Sequence, residues 1–239
     1  MWWKAVVFDL DDTLYPERQY VTSGMRAVAA WIERMLGFPA PRSFEELCEL
    51  SEAAERGRTF DRWIEAHGLD PRVWISRMVQ VYRCHSPQIQ PYPDVVPVLQ
   101  RLASCFGLGL VSDGYLETQR KKWDALNLAG FFQVAVFTDE LGREHWKPSP
   151  LPFRTVLDRL AVPAERSVYI GDNPHKDFCG ARRIGMGTIR LRRCDGLHCD
   201  LHLPGADNTP DAETSNLFDI EFQLARMAAN IRTRTLRTA

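Results

Sequence analysis

The chain has 239 residues, of which 45% are hydrophobic and 26% charged. This balance excludes wholesale disorder and suits one generous globular domain or a domain with an insert. Thirty basic against 31 acidic side chains leave a net charge of -1, so no general electrostatic affinity for nucleic acid or an anionic membrane is expected.

No apolar stretch approaches the ~20 residues that span a bilayer. The N-terminal apolar run stops at Asp9, too short for a secretory leader. The six cysteines are few and irregularly spaced, so a cytoplasmic protein with reduced thiols is expected.

Residues 5–8 form a fully apolar run of the kind found in a strand buried on both faces. Helical periodicity follows over 21–36, 44–56, 58–67 and 71–84, punctuated by Gly37, Gly57, Gly68 and Pro71. Pro87, Pro91 and Pro93 mark the return to a different pattern. Residues 94–103 place Val95, Val98, Leu99 and Leu102 on one helical face, and 108–111 read as a second strand. A charged helix is predicted over 116–128, a strand over 134–137, a helix over 151–160, and strands over 168–170 and 188–191. The polar stretch 195–216 predicts a long loop and 217–231 a closing helix.

Strands alternating with helices imply an α/β fold, a doubly wound parallel sheet covered on both sides. The first crossover breaks the rhythm, because roughly a hundred residues separate the first two strands where a whole βαβ unit needs about thirty. A core of residues 1–15 and 89–239 carrying a small helical insert, 16–88, is therefore expected.

Directly after the first strand stands Asp9-Leu10-Asp11-Asp12-Thr13. Three carboxylates in four positions repel one another, and each would prefer water. A solvated acidic turn is one reading. A ligand site is the other, because the carboxyl edge of an open α/β sheet is where ligands bind. Three more elements fall at the same edge. Ser112-Asp113-Gly114 follows the second strand, Lys147-Pro148 lies beyond the third, and Gly171-Asp172, with Asp177 five residues later, follows the fourth. A turn, a solvated lysine and a helix cap would explain each alone; their common order on one edge would not be explained that way.

These four segments together resemble the haloacid dehalogenase-like hydrolase superfamily. Asp9 to Thr13 matches its Asp-x-Asp-x-Thr motif, Ser112 its second motif, Lys147 its third, and Gly171 to Asp177 its acidic fourth. The insert resembles that family's helical C1 cap. The resemblance implies a Mg²⁺-dependent phosphatase acting on a small phosphorylated metabolite, with sugar phosphates and nucleotides as the leading classes.

In that scheme Asp9 attacks phosphorus to give an aspartyl-phosphate, and Asp11 serves as acid and then base. Ser112 and Lys147, aided by backbone N–H groups near Asp113 and Gly114, hold phosphoryl oxygens. Asp9, Asp172 and the Asp11 carbonyl ligate Mg²⁺, while Asp177 ligates it, reaches it through water, or orients Lys147. A cation suits the charge count. Four carboxylates and one lysine would otherwise meet a phosphate bringing roughly two more negative charges.

For Asp11 to act as an acid its pKa must rise, and burial with repulsion from Asp9 is expected to raise it. Asp113 departs from the Asn common after the motif-two serine, which puts the local geometry in question. Dehalogenases of the fold lack an acid two residues after the nucleophile, so Asp11 argues against dehalogenation. A phosphomutase and a non-catalytic phosphate- or partner-binding protein are the rival readings. Oligomeric state is not legible.

Cys194, His198, Cys199 and His202 invite a zinc reading, but their spacing is not a paired framework. Trp31, Trp63 and Trp74 read as packing residues of the insert. Tyr15, Arg18, Tyr20, Arg56 and Arg58 are candidates for the mouth of the site, or ordinary surface residues.

Overall fold

A computed structural model describes residues 2–53, 57–203 and 205–238. Arg56 lies outside the described residues. The chain divides into two compact units, one made of the residues up to Glu17 with those from Gln90 on, the other of Arg18–Ile89.

The larger unit is built on six parallel strands, β1 (Ala5–Phe8), β2 (Gly107–Ser112), β3 (Val134–Phe137), β4 (Ser167–Gly171), β5 (Gly187–Leu191) and β6 (Ala212–Thr214). Their order is β3-β2-β1-β4-β5-β6. β1 is therefore central, pairing Ala5 with Gly107 on one side and with Ser167 on the other. All four of its side chains are buried, as a strand covered on both faces requires. On one face Val7, Val111, Val136 and Tyr169 pack with Phe153, Val156 and Leu157, while Ala181 and Met186 complete the cluster. Gly109 permits this closeness: a Cβ there would lie 2.7 Å from Val156 Cγ2.

The helices are α1 (Glu17–Leu36), α2 (Ala40–Ala53), α3 (Thr59–Ala66), α4 (Pro71–Cys84), α5 (Val95–Ala103), α6 (Leu116–Leu126), α7 (Leu151–Leu160), α8 (Phe178–Arg183) and α9 (Ile220–Thr238). The smaller unit holds nearly all of α1 and the whole of α2, α3 and α4 around its own core of Met25, Val28, Ile32, Leu47, Trp63, Ile64 and Met78. Its tryptophans pack. Trp63 is fully buried, its indole N–H bonded to Glu46 at 3.0 Å, and Trp31 meets Trp74 edge to face. Asp70 caps α4 by accepting the Arg72 N–H, with Pro71 in the first turn.

Three local differences from the sequence reading have simple causes. The stretch 195–216 contains β6, a three-residue edge strand, Ala-Glu-Thr, too short and too polar to show alternation. The closing helix starts at Ile220 after a 3₁₀ turn at Leu217–Asp219 whose Asn216 side chain accepts the Phe218 N–H. α2 starts at Ala40, four residues early, because Pro41 is tolerated in a first helical turn. Among the described residues no helix is long and apolar enough to cross a membrane.

Candidate active site

The parallel sheet turns four distant segments toward one edge. β1 ends at Phe8 and hands the chain to Asp9, β2 ends at Ser112, and β4 ends at Gly171. The Asp9 N–H donates to Ile170 O at 2.8 Å, which holds the acid against the end of β4. Gly171 is required there, since a Cβ would stand 2.5 Å from Asp177 Oδ2. That oxygen instead accepts the Asn173 N–H at 2.8 Å.

Lys147 sits at the centre of the acids. Its side chain has no exposure, and its ammonium donates to Asp9 Oδ1 at 2.5 Å, Asp177 Oδ1 at 2.8 Å and the Tyr169 hydroxyl at 3.0 Å. Asp9, Asp172 and Asp177 each offer a carboxylate oxygen, and these oxygens lie within 4.8 Å of one another. Asp172 Oδ2 is buried and accepts no hydrogen bond.

One ammonium among three buried acids leaves a deficit of positive charge, and the acids respond differently. Burial pushes the Asp9 carboxyl up to about 6, with Lys147 opposing and Asp177 adding to the rise. Burial, then Asp177 and Asp9, raise Asp172 well above the usual range. Burial also acts to raise Asp177, but Lys147 and Lys176 pull it below its ordinary value. An orphaned buried carboxylate oxygen beside a second acid is a site a hard divalent cation would relieve, so the donor set fits Mg²⁺.

Asp11 is set apart from that cluster. Its Oδ1 accepts the Tyr15 hydroxyl and the Lys122 ammonium, the latter at 2.7 Å, and its Oδ2 accepts Gln119 Nε2 at 3.3 Å. Burial acts to raise its pKa, but Lys122 and Tyr15 outweigh it and hold the carboxyl below the usual range. The expected rise is thus corrected: burial is outweighed by Lys122, a residue the sequence reading did not include, together with Tyr15.

Gln119 also accepts the Ser112 hydroxyl at 3.3 Å and donates to Asp113 O at 2.7 Å, so one side chain links Asp11 to the end of β2. Gly114 has φ +132, and a Cβ there would meet Gln119 Nε2 at 2.4 Å. Asp113 turns away from open solvent. Its Oδ1 accepts the Lys147 backbone N–H at 3.1 Å and its Oδ2 lies 3.7 Å from Lys176 Nζ.

A cavity of about 260 Å³ opens among these groups, lined by Asp9, Asp11, Glu17, Asp113, Asp172 and Lys176, with Tyr115, Trp146 and His198 in its walls. Burial and then Asp11 push the Glu17 carboxyl up to about 7. Asp12, at φ +52, does not face the chemistry. Its carboxylate accepts the Glu17 and Leu197 N–H groups, each at 2.8 Å.

The structure therefore brings Asp9, Asp11, Ser112, Asp113, Gly114, Lys147, Asp172 and Asp177 to one edge. Lys122, Gln119, Glu17 and Lys176 were not among the residues expected at the site, and His198 was weighed only as a zinc ligand. Two of them share a helix face that only its packing reveals: Gln119 and Lys122 lie three apart on α6 and are both buried, on the face shared with Trp123 and Leu126.

The candidate zinc ligands are not brought together. His198 meets Asn173 Nδ2 at 3.0 Å and the Cys199 thiol bonds to Cys194 O. Among the described residues the close group of possible ligands is Asp9, Asp172 and Asp177. Of the candidate mouth residues Tyr15 bonds Asp11, while Arg18, Tyr20 and Arg58 belong to the helical unit.

Comparison with known proteins agrees. Residues 3–185 match the family model for haloacid dehalogenase-like hydrolases. The chain is 36% identical over 236 residues to the glyceraldehyde 3-phosphate phosphatase of Methanopyrus kandleri, covering 93% of this chain and 99% of that one. It is 28% identical to the ribulose-1,5-bisphosphate 5-phosphatase of Halopiger xanaduensis, covering 77% and 83%. A crystal structure of a 2-haloacid dehalogenase from Pseudomonas syringae pv. Tomato DC3000 superposes with a TM-score of 0.65 at 30% identity, covering 94% of this chain and 99% of that one. The chain belongs to the haloacid dehalogenase-like hydrolases, as a phosphatase acting on phosphoric monoesters.

Proposed function

We propose that the chain is a Mg²⁺-dependent phosphatase of a small sugar phosphate, working through an aspartyl-phosphate on Asp9. The observation that carries this reading is the pairing of two acids in opposite surroundings, Asp9 among buried acids at Lys147 and Asp11 on Lys122 and Tyr15. The names of the relatives support the substrate class, since the proteins most like it include phosphatases of a triose phosphate and a pentulose bisphosphate. A cavity of about 260 Å³ suits a small ester.

An Asp9 carboxylate oxygen attacks phosphorus, and the P–O bond to the leaving group breaks as Asp11, which takes up a proton from solvent once the negative charge of the bound ester opposes Lys122 and Tyr15, delivers that proton to the leaving oxygen. Asp11, now a carboxylate, takes a proton from water as the water oxygen attacks the aspartyl-phosphate, which returns Asp9 and releases inorganic phosphate. Ser112 and the neighbouring backbone hold phosphoryl oxygens, while Lys147 fixes Asp9 and reaches the phosphoryl group by exchanging one of its three acceptors. Asp9, Asp172 and the Asp11 carbonyl would hold Mg²⁺, with Asp177 ligating it, reaching it through water or orienting Lys147, and the ion would supply positive charge to offset the phosphoryl oxygens. The helical unit serves as a cap that excludes water from the intermediate, and a cytoplasmic site of action goes with a soluble metabolite as substrate.

A panel of triose, tetrose and pentose phosphates with nucleoside monophosphates, assayed with Mg²⁺, tests this. Inorganic phosphate should be released fastest from a sugar phosphate. Formation of an isomeric phosphate ester would make the protein a phosphomutase, and release from nucleotides alone would replace the substrate class.

A further inference from the structure

An anionic substrate entering this cavity meets acids almost everywhere. Asp9, Asp11, Glu17, Asp113 and Asp172 all line it, and among the described residues the one lining cation is Lys176. The other two lysines nearby face inward. An ammonium carries three N–H donors, and those of Lys147 already have Asp9, Asp177 and Tyr169 as acceptors, on a side chain with no exposure. Lys122 is equally buried, its side chain 3% exposed, with its ammonium on Asp11. Lys176 differs in both respects. About a third of its side chain is exposed, and its nearest acid, Asp113 Oδ2, stands 3.7 Å away, beyond a close hydrogen bond. That acid is itself fixed, 7% exposed and anchored by the Lys147 backbone N–H.

From this we propose that the Lys176 ammonium is a further receiver of the substrate's phosphoryl oxygens, beside Ser112 and Lys147, and that Asp113 is a positioning residue that holds it at the cavity wall. The proposal rests on the phosphatase reading for the identity of the ligand, a phosphoryl oxyanion. It also accounts for the aspartate beside the motif-two serine. An extra negative charge there is tolerable because a lysine from the segment after β4 offsets it. A small residue without charge at 176 would strand Asp113 as an uncompensated acid next to the incoming phosphate.

Binding of inorganic phosphate in the presence of Mg²⁺, by calorimetry, and steady-state hydrolysis of the best ester test this on the full chain. Lys176→Met should weaken phosphate binding and raise KM by about tenfold each, with a smaller fall in kcat, as expected for losing one charged hydrogen bond. Lys176→Arg should stay within about threefold of wild type, since the cation is kept. The double variant Lys176→Met with Asp113→Asn should bind phosphate more tightly than Lys176→Met alone, because the stranded carboxylate is gone, and it guards against a fold defect in the single variant. Phosphate affinity of Lys176→Met within twofold of wild type would overturn the proposal, as would a double variant weaker than the single. Wild-type protein that binds phosphate through Lys176 yet hydrolyses no ester would remove the phosphatase reading and leave this one standing. Wild-type protein that binds no phosphate overturns it.

Discussion

Two acids only two residues apart experience opposite fields. Asp9 shares the Lys147 ammonium with Asp177 and Tyr169, lies against Asp172, and has its carboxyl pushed up to about 6 by burial. Asp11 has Lys122 on the same oxygen that accepts the Tyr15 hydroxyl, and its carboxyl is held low. What separates them is how far the nearest cation offsets burial: Lys147 does not offset it for Asp9, whereas Lys122 with Tyr15 outweighs it for Asp11. On the proposed mechanism the same stretch of chain supplies both the nucleophile and the proton carrier, each set by its own neighbours.

The comparison can be broken in order of severity. Asp9→Asn removes the nucleophile and should lower kcat by at least about 10⁴-fold, with no phosphoryl-enzyme trapped on acid quench; residual turnover near wild type would unseat Asp9. Asp11→Asn should lower kcat by ~10²–10⁴-fold. Because the nucleophile is intact, an activated ester that needs no leaving-group proton should still phosphorylate the enzyme, and the covalent species should accumulate. Equal loss of both half-reactions with every leaving group would mean Asp11 is not the proton carrier.

Lys122→Met leaves the Asp11 carboxylate buried with only neutral partners. Thermal unfolding should show a loss of ~3 kcal/mol, typical of breaking a buried ion pair, and kcat should drop by about tenfold. An unaltered melting curve would mean that the pair contributes nothing and that the contrast with Asp9 is one of burial alone. The smallest effect sharpens the picture at its margin. The Glu17 carboxyl stands at about 7 instead of 4.5 through burial and the nearby Asp11 charge. An acid raised in the folded state weakens folding once pH exceeds its unfolded value, and the penalty is complete above the folded one. In metal-free buffer Glu17→Gln should therefore be more stable than wild type at pH 8 by on the order of 2 kcal/mol after allowance for partial exposure, with the difference vanishing toward pH 4.5.

Five of the six strands were legible because buried parallel strands leave continuous apolar runs, as at 5–8 and 168–170, and their alternation with helices implied a parallel sheet. The acids at the strand ends were legible because carboxylates there are too costly to be incidental. Lys122 and Gln119 were not, since on a helix full of charged residues nothing in the spacing separates a solvated lysine from one turned inward; only the packing of Trp123 and Leu126 decides which face is buried. β6 escaped because three residues carry no periodicity, and α8 because six residues ending in two arginines give no apolar stripe. The pairing of Asp113 with Lys176 spans segments that meet only once the sheet is complete.

The central position of β1 has a consequence for how the chain is made. It is translated before the other five strands, yet its two neighbours are β2, which registers Gly107 on Ala5, and β4, which registers Ser167 there. A nascent chain halted between those points would display a four-residue apolar ribbon with one flank unpaired, the kind of exposed edge that recruits chaperones or self-associates. The acid cluster cannot assemble until β4 has been made, because Asp172 and Asp177 are translated after β1, β2 and β3.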